Sequence, residues 1–309
     1  MRSLSHLSGS PRRGLVTLAS TSATGIAREH VAPFALRSLG GLVGGARVFA
    51  ADGRTSAVVN PSDGCEIARV PDLGASETRA AIVAAAGAAR EWEGRGAGAR
   101  ARVLRDWGGL LRTNSRALGV LLCAEAGKPL AEAVGEIAYA ADFFEWFAEE
   151  AKRPVGEVIS PPQPGRRAHT QRGPVGVCAA LTPWNFPAAM PARKLAASLA
   201  AGCTLVLRPS PETPLSALAL AELGEDAGLP PGVLNVVLGV NHAETAAILT
   251  DSPLVRKISF TGSTRVGKII AQQSAGTLKR ISLELGGHAP FIVFHDAGEE
   301  LKHEHTTAT

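Results

Sequence analysis

The sequence is poor in several residue types. It has one tyrosine, two methionines and four cysteines in 309 residues. The cysteines (Cys65, Cys123, Cys178 and Cys203) lie far apart, with no CxxC pair and no metal-ligand spacing. So few thiols in so long a chain speak against a disulfide framework and fit a reducing compartment. No apolar run reaches the ~18 residues that a membrane-crossing helix needs. No internal repeat is visible. Lysine is absent from residues 1–40, and the only acid there is Glu29.

That last absence explains the charge. Arg2, Arg12, Arg13, Arg28 and Arg37 give the first 40 residues the whole net charge of +4. The other 269 residues carry 27 basic and 27 acidic side chains. A balanced body offers no electrostatic reason to bind nucleic acid or an anionic membrane. The leading segment is Arg-rich, Ser-rich and acid-poor, the composition of an organellar transit peptide. Residues 1–40 are therefore expected to be a mitochondrial leader, with an unaddressed N-terminal tail as the alternative. The hydrophobic fraction of 45% and charged fraction of 19% suit a globular protein large enough for two domains.

Residues 41–75 read as short strands, with Asn60–Gly64 as a turn between Ala57–Val59 and Ile67–Val70. Three helical stretches follow. The first runs from a Ser76 cap to about Trp92, and the second over about 97–126 with a break near Thr113–Ser115. The third covers about 130–152, with Ile137, Phe144 and Phe147 inward. Residues 154–172 read as a hairpin arm, of a kind that often docks on another subunit. From Val175 strands and helices alternate: strands at 175–181, 204–207, 233–237, 255–260 and 280–285, and helices at 188–201, 213–226, 243–249 and 266–274. Thr213 and Pro214 open the 213–226 helix. This spacing predicts a doubly wound α/β fold with a parallel sheet. Phe291–Phe294 reads as one more buried strand.

Four segments stand at strand ends and open helices or turns, where ligands bind in doubly wound sheets. In Thr182-Pro183-Trp184-Asn185-Phe186-Pro187, Asn185 can aim its amide at a developing oxyanion; taken alone, it reads as part of a structural turn. In Arg208-Pro209-Ser210-Pro211-Glu212-Thr213-Pro214, a cation stands within reach of a ribose or phosphate, or in a solvated turn. In Phe260-Thr261-Gly262-Ser263-Thr264-Arg265-Val266-Gly267, a helix N-terminus offers free N–H groups to a pyrophosphate. The spacing is not GxGxxG, and a plain helix cap is the alternative. In Leu283-Glu284-Leu285-Gly286-Gly287, Glu284 between apolar neighbours suits a general base, or is a surface carboxylate at a sheet edge.

No one of these segments is decisive, but their order is. PWNFP, RPSPETP, FTGSTRVG and LELGG in succession resemble the aldehyde dehydrogenase superfamily, over about Leu42–Phe294. Ala124–Pro129 is similar to that family's helix-end segment. Phe144–Glu150, Ser216–Leu223 and Ala289–Phe294 resemble its mitochondrial succinate-semialdehyde branch.

The resemblance implies a Rossmann-like NAD-binding region over 41–294, with an N-terminal helical segment, and a divergent tail over 295–309. In the family, a cysteine thiolate attacks the aldehyde, hydride passes to the nicotinamide, and a glutamate activates water to release the acid. By resemblance, Asn185 is the oxyanion residue and Glu284 the general base. Arg193 meets a substrate carboxylate. Thr182, Pro183 and Trp184 line the cofactor channel. Arg208, Pro209, Ser210 and Pro211 face the adenosine ribose, and Gly262, Ser263, Thr264 and Gly267 the pyrophosphate.

The implied cofactor is NAD rather than NADP, and the implied ligand a small aldehyde bearing a carboxylate. Complete members are homo-oligomers. No metal site is expected. The chain departs from the family with Arg208 for a lysine, Pro211 for an acid, and His288 for an apolar residue. The resemblance also places the nucleophilic cysteine downstream of Glu284, where no cysteine occurs. Neither Cys178 nor Cys203 stands in that context, so the catalytic domain is expected to be missing and the chain inactive alone. A non-catalytic nucleotide-binding or interaction protein is the second reading.

Overall fold

The computed structural model describes residues 32–153, 156–161 and 163–297. The expected leader lies mostly outside them, as does the tail from residue 298.

The chain opens with β1 (Gly41–Val43), β2 (Ala46–Val48) and a hairpin of β3 (Thr55–Val59) and β4 (Glu66–Pro71). Helices α1 (Ala75–Gly94), α2 (Gly96–Thr113), α3 (Ser115–Ala126) and α4 (Leu130–Glu150) follow. The arm is two short strands, β5 (Val158–Ile159) and β6 (Ala168–His169). Then come β7 (Val177–Leu181), α5 (Ala189–Ala200), β8 (Thr204–Arg208), α6 (Pro214–Asp226) and β9 (Leu234–Val236). Helix α7 (His242–Asp251), β10 (Val255–Gly262), α8 (Thr264–Ala275) and β11 (Arg280–Leu285) complete it.

Seven strands form the main sheet in the order β11-β10-β7-β8-β9-β1-β2. The first five are parallel. β1 then pairs antiparallel with β9 and β2 antiparallel with β1, so the sheet is mixed rather than wholly parallel. Side chains alternate across it with period two. Cys178, Ala180, Leu205 and Leu207 enter one core, with Trp107 and Leu111 of α2, Leu121 of α3, Phe144 of α4, Leu195 of α5 and Leu218 of α6. Val177, Ala179, Leu181 and Val206 enter the other, with Ile82 and Ala85 of α1, Leu249 of α7 and Ile270 of α8. The N-terminal helical segment is thus divided: α1 crosses to one face, while α2–α4 thicken the other.

Several local expectations change. Helix α1 starts from Gly74, not Ser76, because the Glu77 carboxylate accepts the Gly74 N–H at 2.9 Å. Thr213 precedes α6, but its hydroxyl caps nothing and is buried without a partner. The Glu125 carboxylate of α3 takes that place, accepting from Leu215 N at 2.7 Å and Ser216 N at 2.8 Å. Phe291–Phe294 forms no strand, and all four side chains are exposed.

The last residues before position 40 touch the body. Leu36 is buried, and the Arg37 N–H and guanidinium both bond Glu222 of α6. Residues 34–40 dock on the body, with Arg37 as one of their anchors.

Candidate functional site

Parallel strands in register bring four loops to one edge of the sheet. Leu181 pairs with Arg208 and with Phe260, and Phe260 pairs with Leu283. Thr182, Arg208, Gly262 and Glu284 therefore end neighbouring strands on the same side. Chain order reverses between β7 and β10, so the edge holds a topological switch point, where doubly wound sheets bind ligands.

The β7–α5 loop is pinned from below. Lys128 Nζ donates to the Asn185 carbonyl at 2.8 Å and to Glu136 Oε2 at 2.6 Å, and lies 4.0 Å from the Phe186 ring centroid. Glu136 is buried, and its Oε1 accepts from Ala188 N at 2.8 Å and Ala189 N at 3.1 Å. One buried carboxylate thus caps α5 and holds the lysine that holds Asn185. The Asn185 side chain is exposed and its amide makes no hydrogen bond among the described residues. Trp184 is exposed as well, Pro183 is half-buried, and the buried Thr182 Oγ1 has no partner.

The β8–α6 loop differs from its expectation. The Arg208 guanidinium does not reach out from the strand end. It is buried, donates from Nη2 to the Gly239 carbonyl at 2.7 Å, and leaves its Nε without a partner. Burial pushes its pKa down to about 10, against the pull of Glu212. Pro209 is buried, and the Ser210 hydroxyl donates to the Glu212 carboxylate, which is exposed. Pro211, Glu212, Trp184, Val240 and Val59 line a cleft of about 530 Å³.

The β10–α8 turn behaves as a helix cap. Ser263 Oγ accepts from Val266 N at 3.4 Å, and Thr264 begins the helix. A Cβ at Gly262 would stand 2.5 Å from the Phe260 ring, and one at Gly267 would stand 2.5 Å from Leu285 Cδ2. Both glycines thus serve close packing, and Gly267 lets α8 sit down on β11. The cap leaves the first-turn N–H groups of α8 at the crevice, where the helix dipole favours an anion.

Glu284 is exposed, not set in an apolar pocket. Its strand is the sheet's last and has a neighbour on one side only. What the sequence reading missed is Lys194, one residue past Arg193 on α5. Lys194 is buried and its Nζ donates to Ser259 Oγ at 2.9 Å. Burial pushes its pKa down to about 8, against the attraction of Glu284. A lysine inside an alanine-rich helix beside a strand-end segment was the available signal. Arg193 stands on the same helix and donates from Nη2 to the Tyr139 hydroxyl at 2.8 Å.

The cysteines lie elsewhere. Cys178 and Cys203 are buried at the amino-terminal side of β7 and β8. Cys178 is three residues short of the end of its strand, roughly 10 Å from the crevice at the rise of a strand. Cys65 is exposed near the β3–β4 turn and Cys123 lies within α3. Among the described residues, no cluster of His, Cys, Asp or Glu could hold a metal ion, and no helix is long and apolar enough to cross a membrane.

The sheet order and the gathered loops define a doubly wound α/β protein with one switch-point crevice. Residues 49–308 match the model of the aldehyde dehydrogenase family, and the chain belongs to that family. It is 53% identical over 255 residues to a glutarate-semialdehyde dehydrogenase of Pseudomonas aeruginosa, covering 82% of this chain and 53% of the relative. It is 52% identical over 256 residues to the NADP(+) succinate-semialdehyde dehydrogenase of Escherichia coli, covering 83% and 53%. A mitochondrial succinate-semialdehyde dehydrogenase of Arabidopsis thaliana is 51% identical over 257 residues, covering 83% and 48%. A crystal structure of an aldehyde dehydrogenase from Brucella melitensis superposes with a TM-score of 0.81 at 53% identity, covering 84% of this chain and 54% of that one. The chain spans about half the length of the curated relatives it matches.

Proposed function

We propose that this chain is the nicotinamide-cofactor half of a succinate-semialdehyde-type aldehyde dehydrogenase, and that it binds NAD without oxidising aldehydes alone. The observation that carries this reading is the convergence of Asn185, Glu284, Lys194 and the α8 N-terminus on one switch-point crevice, with the buried Cys178 and Cys203 toward the opposite ends of their strands.

The residues present suit a dinucleotide. Ser263 and Thr264 at the start of α8 would hold the pyrophosphate. The cleft by Trp184, Pro211 and Val240 would take the adenosine, and the orphaned Thr182 hydroxyl lies alongside. When bound, the group supplies a hydride acceptor. Asn185 donates its amide to the aldehyde oxygen as negative charge develops there. Glu284 takes a proton from water, and Lys194 beside it steadies the carboxylate. Arg193 meets the tail carboxylate of the aldehyde. NAD is favoured over NADP because Arg208 is turned inward to Gly239 and the exposed Glu212 repels a 2′-phosphate.

Calorimetric titration with NAD and with NADP tests the reading. NAD is expected to bind, NADP more weakly, with no turnover of succinate semialdehyde. No heat at millimolar NAD, or oxidation at an enzyme-like rate, sinks it. The Arg- and Ser-rich start of the chain, with the mitochondrial Arabidopsis relative, supports import into mitochondria. Fusion of residues 1–40 to a fluorescent reporter tests that address, and a diffuse signal refutes it.

A further inference from the structure

Arg193 differs from most arginines of the described surface. Arg37, Arg54, Arg69, Arg105 and Arg112 each lie against a carboxylate. Arg193 has no carboxylate at ion-pair distance among the described residues. Two aromatic side chains of α4 hold it instead. Its Nη2 donates to the hydroxyl of Tyr139, the only tyrosine in the chain, at 2.8 Å. Its guanidinium carbon lies 4.9 Å from the Phe143 ring centroid. The two rings pack at 4.7 Å with a 54° tilt, one helical turn apart.

This grip leaves donors unused. The Arg193 Nε is buried without a partner, and Nη1 makes no hydrogen bond among the described residues. A guanidinium fixed by a ring face and a hydroxyl, with no internal acid, is ready to receive an external one. Arginine recognises carboxylates as a planar fork, and fixing the fork beforehand spares the rotamer freedom that binding would otherwise remove.

We infer that Tyr139 and Phe143 are positioning residues that set Arg193 as a carboxylate fork, and so favour ligands with an anionic tail over neutral ones of the same shape. The inference rests on the reading of Arg193 as the residue that meets the tail carboxylate.

The test uses the full chain labelled at arginine with ¹⁵N, with succinate as the probe and succinamide as its neutral counterpart. Succinate is expected to shift the Arg193 Nε–H resonance, and succinamide to leave it in place. Tyr139→Phe keeps the ring and removes the hydroxyl. It is expected to weaken succinate about tenfold and speed exchange of the Arg193 Nε–H, with the melting temperature unchanged. Phe143→Leu is expected to act the same way. Arg193→Ala should abolish succinate binding in calorimetric titration.

Wild-type succinate affinity and Nε–H exchange in Tyr139→Phe, alongside lost calorimetric succinate binding in Arg193→Ala, overturn the inference and leave the proposed function standing. Succinate binding that is absent from the wild-type chain, or indifferent to Arg193→Ala, overturns the underlying reading and the inference with it.

Discussion

Glu125 makes stability depend on pH in a direction opposite to that of most acids. Its carboxylate is fully buried at the end of α3 and caps α6 through two backbone N–H groups. Burial raises its pKa to about 7, and the nearby Glu136 adds to the rise, while the bonds to Leu215 and Ser216 oppose it. The folded protein therefore holds this proton more tightly than the unfolded chain. Below the ordinary carboxylate pKa both states are protonated. As pH rises through the window from about 4.5 to about 7, the unfolded chain loses its proton first, and stability falls.

At roughly 1.4 kcal/mol per pKa unit, the loss across that window is about 3 kcal/mol, and it levels off above the folded pKa. Glu125→Gln is close in shape, accepts one of the two N–H bonds and cannot titrate. Urea unfolding followed by tryptophan fluorescence at pH 5, 6, 7 and 8 measures the difference. Subtracting the variant removes the other titrating groups. The wild type is expected to lose about 3 kcal/mol relative to Glu125→Gln over the rising limb. Parallel pH profiles for the two proteins would mean that Glu125 titrates normally, and the burial argument would fail.

Other expectations follow from the same packing. Lys128→Met leaves Glu136 buried without its cation, and should cost about 3–5 kcal/mol in urea unfolding. Adding Glu136→Gln should recover part of that loss, and a double variant no more stable than the single one argues against the pair. Gly239→Ala places a Cβ 2.5 Å from the Leu73 carbonyl at a φ of +152°, so a loss of roughly 3 kcal/mol in urea is expected; an unchanged midpoint would show that the β9 loop yields. Trp107 is fully buried against Phe144, with ring centroids 4.5 Å apart, so Trp107→Ala should cost about 3–5 kcal/mol and Trp107→Phe much less. Equal losses in the two variants would contradict a volume effect.

The sequence alone carried the alternation of strands and helices after Val175, because apolar periodicity and strand-end glycines are local signals. It also carried the family, because four short segments in one order are a pattern along the chain. It did not reveal which face each helix covers. Ala-rich α1 and Arg- and Gly-rich α2 each present an apolar stripe in the sequence, yet they pack on opposite sides of the sheet.

Tertiary structure decided the rest through contacts between distant residues. Glu125 and Glu136 read as ordinary helical acids until α3 and α4 dock their carboxylates on the starts of α6 and α5. Arg208 reads as a ribose ligand until the β9 loop offers it the Gly239 carbonyl. Lys194 is one more cation in a helix until burial and Glu284 set its proton affinity. Arg37 reads as one more cation of the N-terminal segment, and only the fold brings it to Glu222. Each of these turns on desolvation and pairing across the fold, which depend on neighbours in space that no window along the chain contains.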